Sequence, residues 1–268
     1  MPDWQQHLDI AVEAARIAGR YQQYRFESAL NVTLKGDKDL VTEIDRESER
    51  LIVGHLLSSF PDHGIVAEEG VYRQGPAPFR WIIDPLDGTT NYAHGFPWFC
   101  VSIGLESEGE LLSGVIYNPM HDELFTASKG GGAFLNGHRL HVSARHPLRN
   151  TLLGTGFPYD CASDPANNFG NFIAFQKAAR GIRRAGAAAL DLAYVAAGRL
   201  DGFWELKLKP WDVAAGALMV SEAGGAVTTF DGTAYDIFNH RIVASNGRIH
   251  DEMLAMLAQS DQGGPHET

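Results

Sequence analysis

Trp81-Ile82-Ile83-Asp84-Pro85-Leu86-Asp87-Gly88-Thr89-Thr90-Asn91 runs from a short apolar strand into two carboxylates, three residues apart, on a Pro/Gly turn followed by hydroxyl and amide side chains. Pro85 and Gly88 punctuate the run, which predicts that Asp84 closes the strand and Asp87 stands in the loop beside it, both aimed at one small volume. Two carboxylates that close repel, and a divalent cation relieves the repulsion. Mg²⁺ is a hard ion that takes oxygen ligands and keeps several waters, so one or two carboxylates plus a substrate phosphate suffice to hold it. The Leu86 carbonyl can supply a further oxygen. Gly88-Thr89-Thr90-Asn91 offers backbone N–H groups and hydroxyls where a short helix can begin, which suits an anion. Taken alone, the same pattern reads better as an Asx-turn.

Other parts of the chain bear on that choice. Val66-Ala67-Glu68-Glu69-Gly70 sets an acidic pair upstream, and Lys209-Pro210-Trp211-Asp212 sets another Asp far downstream. Together these pieces resemble the inositol monophosphatase family of Mg²⁺-dependent, Li⁺-sensitive phosphomonoesterases, whose two signatures read here as residues 81–91 and as Lys209-Pro210-Trp211-Asp212-Val213-Ala214-Ala215-Gly216. Supporting pieces follow in order: Lys35, Leu40-Val41-Thr42-Glu43-Ile44-Asp45, Ala67-Glu68-Glu69, Gly186-Ala187-Ala188-Ala189-Leu190-Asp191 and Glu205. The resemblance covers residues 4–256. One departure is Ala67, where the family usually has Gly before Glu-Glu.

The resemblance implies a role for each matching position. Glu68, Asp84 and the Leu86 carbonyl match ligands of a first Mg²⁺, and Asp84, Asp87 and Asp212 those of a second; Glu68 also matches the anchor of a weaker third ion. Glu68, Thr89 and Asp45 form the implied catalytic set, with Thr89 hydrogen-bonded to Asp45 and orienting the attacking water. Backbone groups of Gly88 and Thr89 are expected to hold the phosphate. Asp87, Gly186, Ala187, Ala188, Glu205 and Asp212 are expected to contact the polyol. The implied reaction is hydrolysis of myo-inositol monophosphate with two to three Mg²⁺ ions, and the implied assembly is a homodimer.

The chemistry is consistent with charge alone. In-line hydrolysis needs a nucleophilic water, an electrophilic phosphorus and a stabilised leaving alkoxide, and metal ions supply all three without a covalent intermediate. The sequence has no G-x-S-x-G elbow, no G-x-x-x-x-G-K-[ST] loop and no H-E-x-x-H. Local alternatives stay open for single residues: Asp45 as an acid favoured by a helix dipole, Asp212 as a cap, Glu205 as a solvent-facing strand-end acid.

Two other functions remain in view. One is a broader sugar or nucleotide phosphatase, fructose 1,6-bisphosphate included, although Thr89-Thr90-Asn91 resembles the inositol branch. The other is regulatory, because residues 181–199, with Arg183-Arg184, resemble bacterial members some of which bind transcription machinery, RNA polymerase or transcription factors. Paired arginines are also ordinary salt-bridge donors.

Composition bounds the rest. A chain of 268 residues with 44% apolar and 21% charged residues is ordinary globular material. A formal charge of −11 argues against direct nucleic-acid or anionic-membrane binding. Cys100 and Cys161 are too few for a disulfide framework, and Cys100 reads as a buried free thiol in the apolar run 96–101. No apolar stretch approaches ~18 residues and the N-terminus lacks a basic-then-apolar signal, so a cytoplasmic, membrane-free protein is expected.

Periodicity predicts an α/β chain with an α+β N-terminal half. A helix behind Asp3 ends near Gly19, and a second opens at Thr42, placing Asp45 in its first turn. Alternation over residues 101–142 predicts antiparallel strands and hairpins, with an Asn136-Gly137 turn. Thereafter strands at 152–155, 202–205, 226–230 and 242–245 alternate with helices near 169–179, 190–197 and 211 onward, and a final helix. The division expected is 1–145, an N-terminal half carrying most metal ligands; 146–258, a half completing the site; and 259–268, a disordered tail. The whole resembles the layered α-β-α-β-α sandwich of the inositol monophosphatase and fructose-1,6-bisphosphatase type.

Overall fold

A computed structural model describes residues 4–26, 32–34 and 40–262. Asp3, Lys35 and residues 263–268 lie outside the described residues. Helix α1 (Trp4–Arg25) does not stop at Gly19 but runs through it. That glycine marks a close approach: a Cβ there would lie 2.6 Å from the Tyr117 ring. Strands β1 (Val32–Leu34) and β2 (Leu40–Thr42) form a short antiparallel pair. They lead into α2 (Glu43–Ser59), whose N-cap is Thr42. The cap is reciprocal: Thr42 Oγ1 accepts from the Ile44 N–H at 3.0 Å, and Asp45 Oδ2 accepts from the Thr42 N–H at 2.8 Å.

The large sheet contains β3 (Gly64–Ala67), β4 (Tyr72–Arg73), β5 (Phe79–Asp87), β6 (Cys100–Ser107), β7 (Glu110–Asn118), β8 (Glu123–Ser128), β9 (Gly132–Leu135) and β10 (His138–Arg139). Its order is β10-β9-β8-β7-β6-β5-β3-β4, antiparallel except for the β3–β5 pair. The two-residue turns Glu108-Gly109 and Asn136-Gly137 have positive φ at both positions, the twist that hairpin strands need. A short helix, α3 (Thr89–Ala93), follows β5.

The small sheet contains β11 (Leu152–Thr155), β12 (Gly181–Arg183), β13 (Gly202–Leu206), β14 (Ala226–Thr228) and β15 (Arg241–Ser245), in the order β12-β11-β13-β15-β14. Here β11 is parallel to both β12 and β13, and the other pairs are antiparallel. The helices among these strands are α4 (Phe169–Ala178), α5 (Ala188–Ala196), α6 (Pro210–Glu222) and α7 (His250–Gln262). Helix α7 continues to Gln262, past the position 259 where a tail was expected.

Five layers follow from which residues pack together. Trp81 and Ile83 of β5 join Ala11, Ala14, Ala18, Ile52 and Leu56 of α1 and α2 on one face of the large sheet. Ile82, one residue out of phase, joins Leu190, Leu192 and Val213 of α5 and α6 on the other. The small sheet splits the same way: Phe203 faces this middle helical layer, and Trp204 packs with Phe175 and Met253 of α4 and α7. The layers therefore read α-β-α-β-α. Helix α6 lies directly on β6 and β7 because Gly104 and Gly114, partners across that ladder, carry no side chain; a Cβ on either would come within 2.9 Å of Ala214 or Ala215. As far as Asp84, the even-numbered residues of β5, and the odd-numbered residues Phe203 and Glu205 of β13, thus point toward the middle layer, where the site forms.

Candidate active site

The end of β5 is bulged. Asp84 pairs with Ser102 and Asp87 with Cys100, so β5 spends one extra residue between these pairs. In a regular strand, residues three apart point to opposite faces; the extra residue brings Asp84 and Asp87 to the same face. This corrects the sequence expectation that Asp87 leaves the strand for a loop: the strand reaches Asp87, and Pro85, which cannot donate to a ladder, is accommodated at the bulge. Backbone groups of Pro85 and Leu86 in the bulge meet side chains. The Leu86 N–H donates to Asp84 Oδ1 at 3.0 Å. Thr89 Oγ1 lies 3.1 Å from the Leu86 carbonyl, and the Pro85 carbonyl accepts from Gln22 Nε2 at 2.6 Å.

Beyond the bulge, Gly88 adopts φ 97° as the N-cap of α3, and a Cβ there would lie 2.9 Å from the Trp98 carbonyl oxygen. Glycine is thus fixed both by the left-handed backbone and by the close approach. Thr89 Oγ1 donates to Asp45 Oδ1 at 2.8 Å, while Asp45 Oδ2 takes both the N–H and the hydroxyl of Thr42. Asp45 is fully buried, so its capping of α2 and its contact with Thr89 are one structure.

Glu68 stands one residue past β3, its N–H donating to the Ile83 carbonyl at 3.1 Å. Glu49 of α2 holds that turn, its Oε2 and Oε1 accepting from the N–H groups of Glu69 (2.7 Å) and Val71 (3.2 Å). Asp212 lies in the first turn of α6, where its Oδ2 accepts from the Lys209 N–H at 2.7 Å. Asp87 Oδ2 accepts from the Ala189 N–H at the start of α5, at 2.8 Å, and from the Cys100 thiol at 3.8 Å. Cys100 is a buried free thiol. Asn91 ties α3 to the turn before α5, its Nδ2 donating to the carbonyls of Trp98 (2.7 Å), Ala185 (2.9 Å) and Gly186 (3.3 Å). Gly186, Ala187 and Ala188 therefore stand at the same site as the β5 bulge.

The acids act on one another. Burial, and then the charges of Glu68, Asp87 and Asp212, push the Asp84 carboxyl well above the ordinary range. Asp87 is pushed up to about 7, by burial first and the Glu68 charge next, against the lowering effect of the Ala189 and Ala188 N–H groups. Burial raises Asp45 despite its hydrogen bonds to Thr42 and Thr89. Glu205, half-buried at the end of β13, is raised well above its ordinary range by burial and by Asp191 and Asp212, with Arg184 opposing. Four carboxylates interacting at one spot demand protons or a cation. Among the described residues no group of three or more Asp, Glu, His or Cys side chains is gathered closely enough to hold a metal ion by itself. The donors are all oxygen, the chemistry Mg²⁺ accepts when water and a phosphate complete its shell.

Of the residues expected from the sequence, Thr89 is hydrogen-bonded to Asp45, Asp84 feels the charges of Glu68, Asp87 and Asp212, and Glu205 feels those of Asp212 and Asp87. Gln22 and Glu49, whose partners are far away in the chain, were not expected there, and Asn91 was expected without its contacts to Ala185 and Gly186. Asp191, in the segment after Gly186, has no role expected from the sequence; the residue is 2% exposed and its carboxyl feels the charge of Asp87.

The chain is similar to known proteins along almost its whole length. The profile of the inositol monophosphatase family matches residues 3–262. The chain is 48% identical over 257 residues to the Nus factor SuhB of Pseudomonas aeruginosa, covering 93% of this chain and 95% of that protein. It is 45% identical over 250 residues to an inositol-1-monophosphatase of Mesorhizobium japonicum, covering 92% and 94%. Among solved structures, an inositol monophosphatase from Anabaena superimposes with a TM-score of 0.87 at 44% identity, covering 96% of this chain and 97% of that one.

Proposed function

The chain belongs to the inositol monophosphatase family and is a phosphomonoesterase; from that premise we propose that it hydrolyses myo-inositol monophosphate to inositol and phosphate with Mg²⁺. The observation that carries the reading is the bulge that turns Asp84 and Asp87 to one face, beside a Thr89 hydroxyl already bonded to Asp45. Glu68, Asp84 and the Leu86 carbonyl would hold one ion, Asp84, Asp87 and Asp212 a second, and Glu68 a weaker third. Bound there, Mg²⁺ supplies the positive charge that activates water and stabilises the leaving oxygen.

The chain's own groups do the positioning. Thr89 has one hydroxyl hydrogen, and the Asp45 carboxylate takes it, so the Thr89 oxygen is left to accept a hydrogen from the attacking water. Asp45 is fixed by Thr42 and cannot swing away. Gly88 and Thr89 N–H groups would hold the phosphate. Asp87, the Gly186, Ala187 and Ala188 turn, Glu205 and Asp212 surround the polyol.

A panel of phosphomonoesters tests the substrate, assayed with purified protein and Mg²⁺. Inositol 1-phosphate should exceed hexose and nucleotide monophosphates in kcat/KM by at least about tenfold, which is ~1.4 kcal/mol of discrimination. Equal rates across the panel, or preference for fructose 1,6-bisphosphate, would leave a broader phosphatase. A second reading has its own support, since the relative named Nus factor SuhB is 48% identical and the Arg183-Arg184 pair is present here. In that reading the protein also contacts transcription machinery, and capture of purified RNA polymerase on the immobilised protein would reveal it. No helix among the described residues is long and apolar enough to cross a membrane. We further propose a cytoplasmic homodimer; a monomer by sedimentation at micromolar concentration would remove the dimer.

A further inference from the structure

On the small-sheet side of the site, one face of β11 is stripped of side chains and two acids fill the space. A Cβ on Gly154 would lie 3.4 Å from Asp191 Cγ, and one on Gly156, two residues on, would collide with the Glu205 carboxylate. Residues two apart in extended chain share a face, so Asp191 and Glu205 stand side by side over the end of one strand. They come from different elements: Asp191 from the first turn of α5, Glu205 from β13, which runs beside β11 with Gly154 opposite Phe203.

Neither carboxyl accepts a hydrogen bond from any described residue, and the cation acting on both is the exposed Arg184. The contrast with the neighbouring acids is direct. Asp84 takes the Leu86 N–H, Asp87 the Ala189 N–H and Asp212 the Lys209 N–H. Asp191 is 2% exposed as a residue, yet the sealed, unpartnered polar atoms among the described residues include no oxygen of Asp191 or Glu205, so both carboxyls keep oxygens open to water or to a ligand's donors. The missing partner must bring donors into a space walled by acids. A hydroxyl both donates and accepts, so it satisfies a carboxyl group in either protonation state.

We propose that Asp191 and Glu205 form a paired-carboxyl subsite that reads two ring hydroxyls of the substrate's polyol, with Asp191 as a specificity-determining residue. The proposal rests on the phosphatase reading above and extends it by a second hydroxyl contact beyond that of Glu205. Such a pair selects for substrates bearing hydroxyls at two neighbouring positions, because a site built around a hydroxyl rejects the analogue lacking it.

Two measurements test it, both with the full chain and Mg²⁺. In the wild type, kcat/KM is compared for inositol 1-phosphate and its singly deoxygenated derivatives, with phenyl phosphate as the substrate lacking a polyol. Two ring positions should each cost about tenfold or more when deoxygenated. In Asp191→Asn, which keeps the shape but exchanges an acceptor for a donor, KM for inositol 1-phosphate relative to that for phenyl phosphate should rise about 10- to 100-fold, with kcat nearly constant. A relative KM that does not move, or loss in kcat on both substrates alike, overturns the subsite. If the variant does not fold, the wild-type series decides: a single sensitive ring position overturns the pair while leaving the inositol reading intact. If the wild type turns over phenyl phosphate as well as inositol 1-phosphate, the inositol reading fails and the subsite falls with it.

Discussion

The acids around the β5 bulge and the acids over β11 open onto the same volume, yet they are held in opposite ways. Asp45, Asp84, Asp87 and Asp212 each accept at least one hydrogen bond from backbone N–H groups, which fixes their direction before anything binds. Asp191 and Glu205 are placed by packing against glycine and accept none. Fixed carboxylates suit a task whose geometry never changes, the placing of an ion and a water. Unpartnered ones suit the reading of a ligand, because their hydrogen bonds form only when it arrives. The division predicts that substitutions on the first side act on turnover and those on the second act on binding.

The largest effect is expected from Asp87→Asn and Asp84→Asn, which remove one charge but keep the turn-forming shape. Each should lower kcat/KM by at least about 10²–10³-fold, the scale of losing one preorganised electrostatic group, with circular dichroism unchanged. Either variant retaining near-wild-type turnover and Mg²⁺ affinity would break the comparison at its stronger side. Thr89→Ala comes next: kcat should fall by about 10²-fold while KM moves little, since an oriented water matters mainly in the transition state. A change carried by KM would move Thr89 to the substrate side. Glu205→Ala should then raise KM for inositol 1-phosphate by about 10- to 100-fold and barely affect an aryl phosphate. Equal loss on both substrates would make Glu205 a support of the bulge.

The smallest effect concerns pH. Asp87 is held at about 7 in the folded, metal-free protein, against an ordinary value of 3.8. Between those values the folded chain binds more protons than the unfolded one, so metal-free stability falls as pH rises and levels off above about 7. Asp84 is displaced in the same direction. Mg²⁺ competes with these protons, so the rise in Tm that it causes should grow from pH 6 to pH 8, each kcal/mol appearing as about 2–4 °C. A Mg²⁺ shift that is constant or shrinks over that range would mean that the buried acids are not its ligands.

Much of the large-sheet side is legible in the chain, because its signals are local. Thr42 and Asp45 cap α2 within three residues of each other, and alternation with Asn136-Gly137 specifies the hairpins. The failures share a cause. Gly19 reads as a helix end, but it is small because Tyr117 presses on α1 from β7. Asp87 reads as a loop residue, because turn chemistry at Pro85 and Gly88 is visible and the register of β6 opposite it is not. Gln22, whose Nε2 donates to the Pro85 carbonyl and to Ser48 Oγ, belongs to the site only through contacts made across the fold. Asp191 and Gly156 are of the same kind: a carboxyl left without a donor becomes visible only when all its neighbours are in place.

Metal removal tests the division most directly. Protein stripped with excess chelator should release no phosphate from inositol 1-phosphate and should recover turnover on titration with Mg²⁺, while inositol 1-phosphate protects the stripped protein poorly against thermal unfolding. Full turnover in excess chelator would contradict metal-assisted hydrolysis at the Glu68, Asp84, Asp87 and Asp212 cluster.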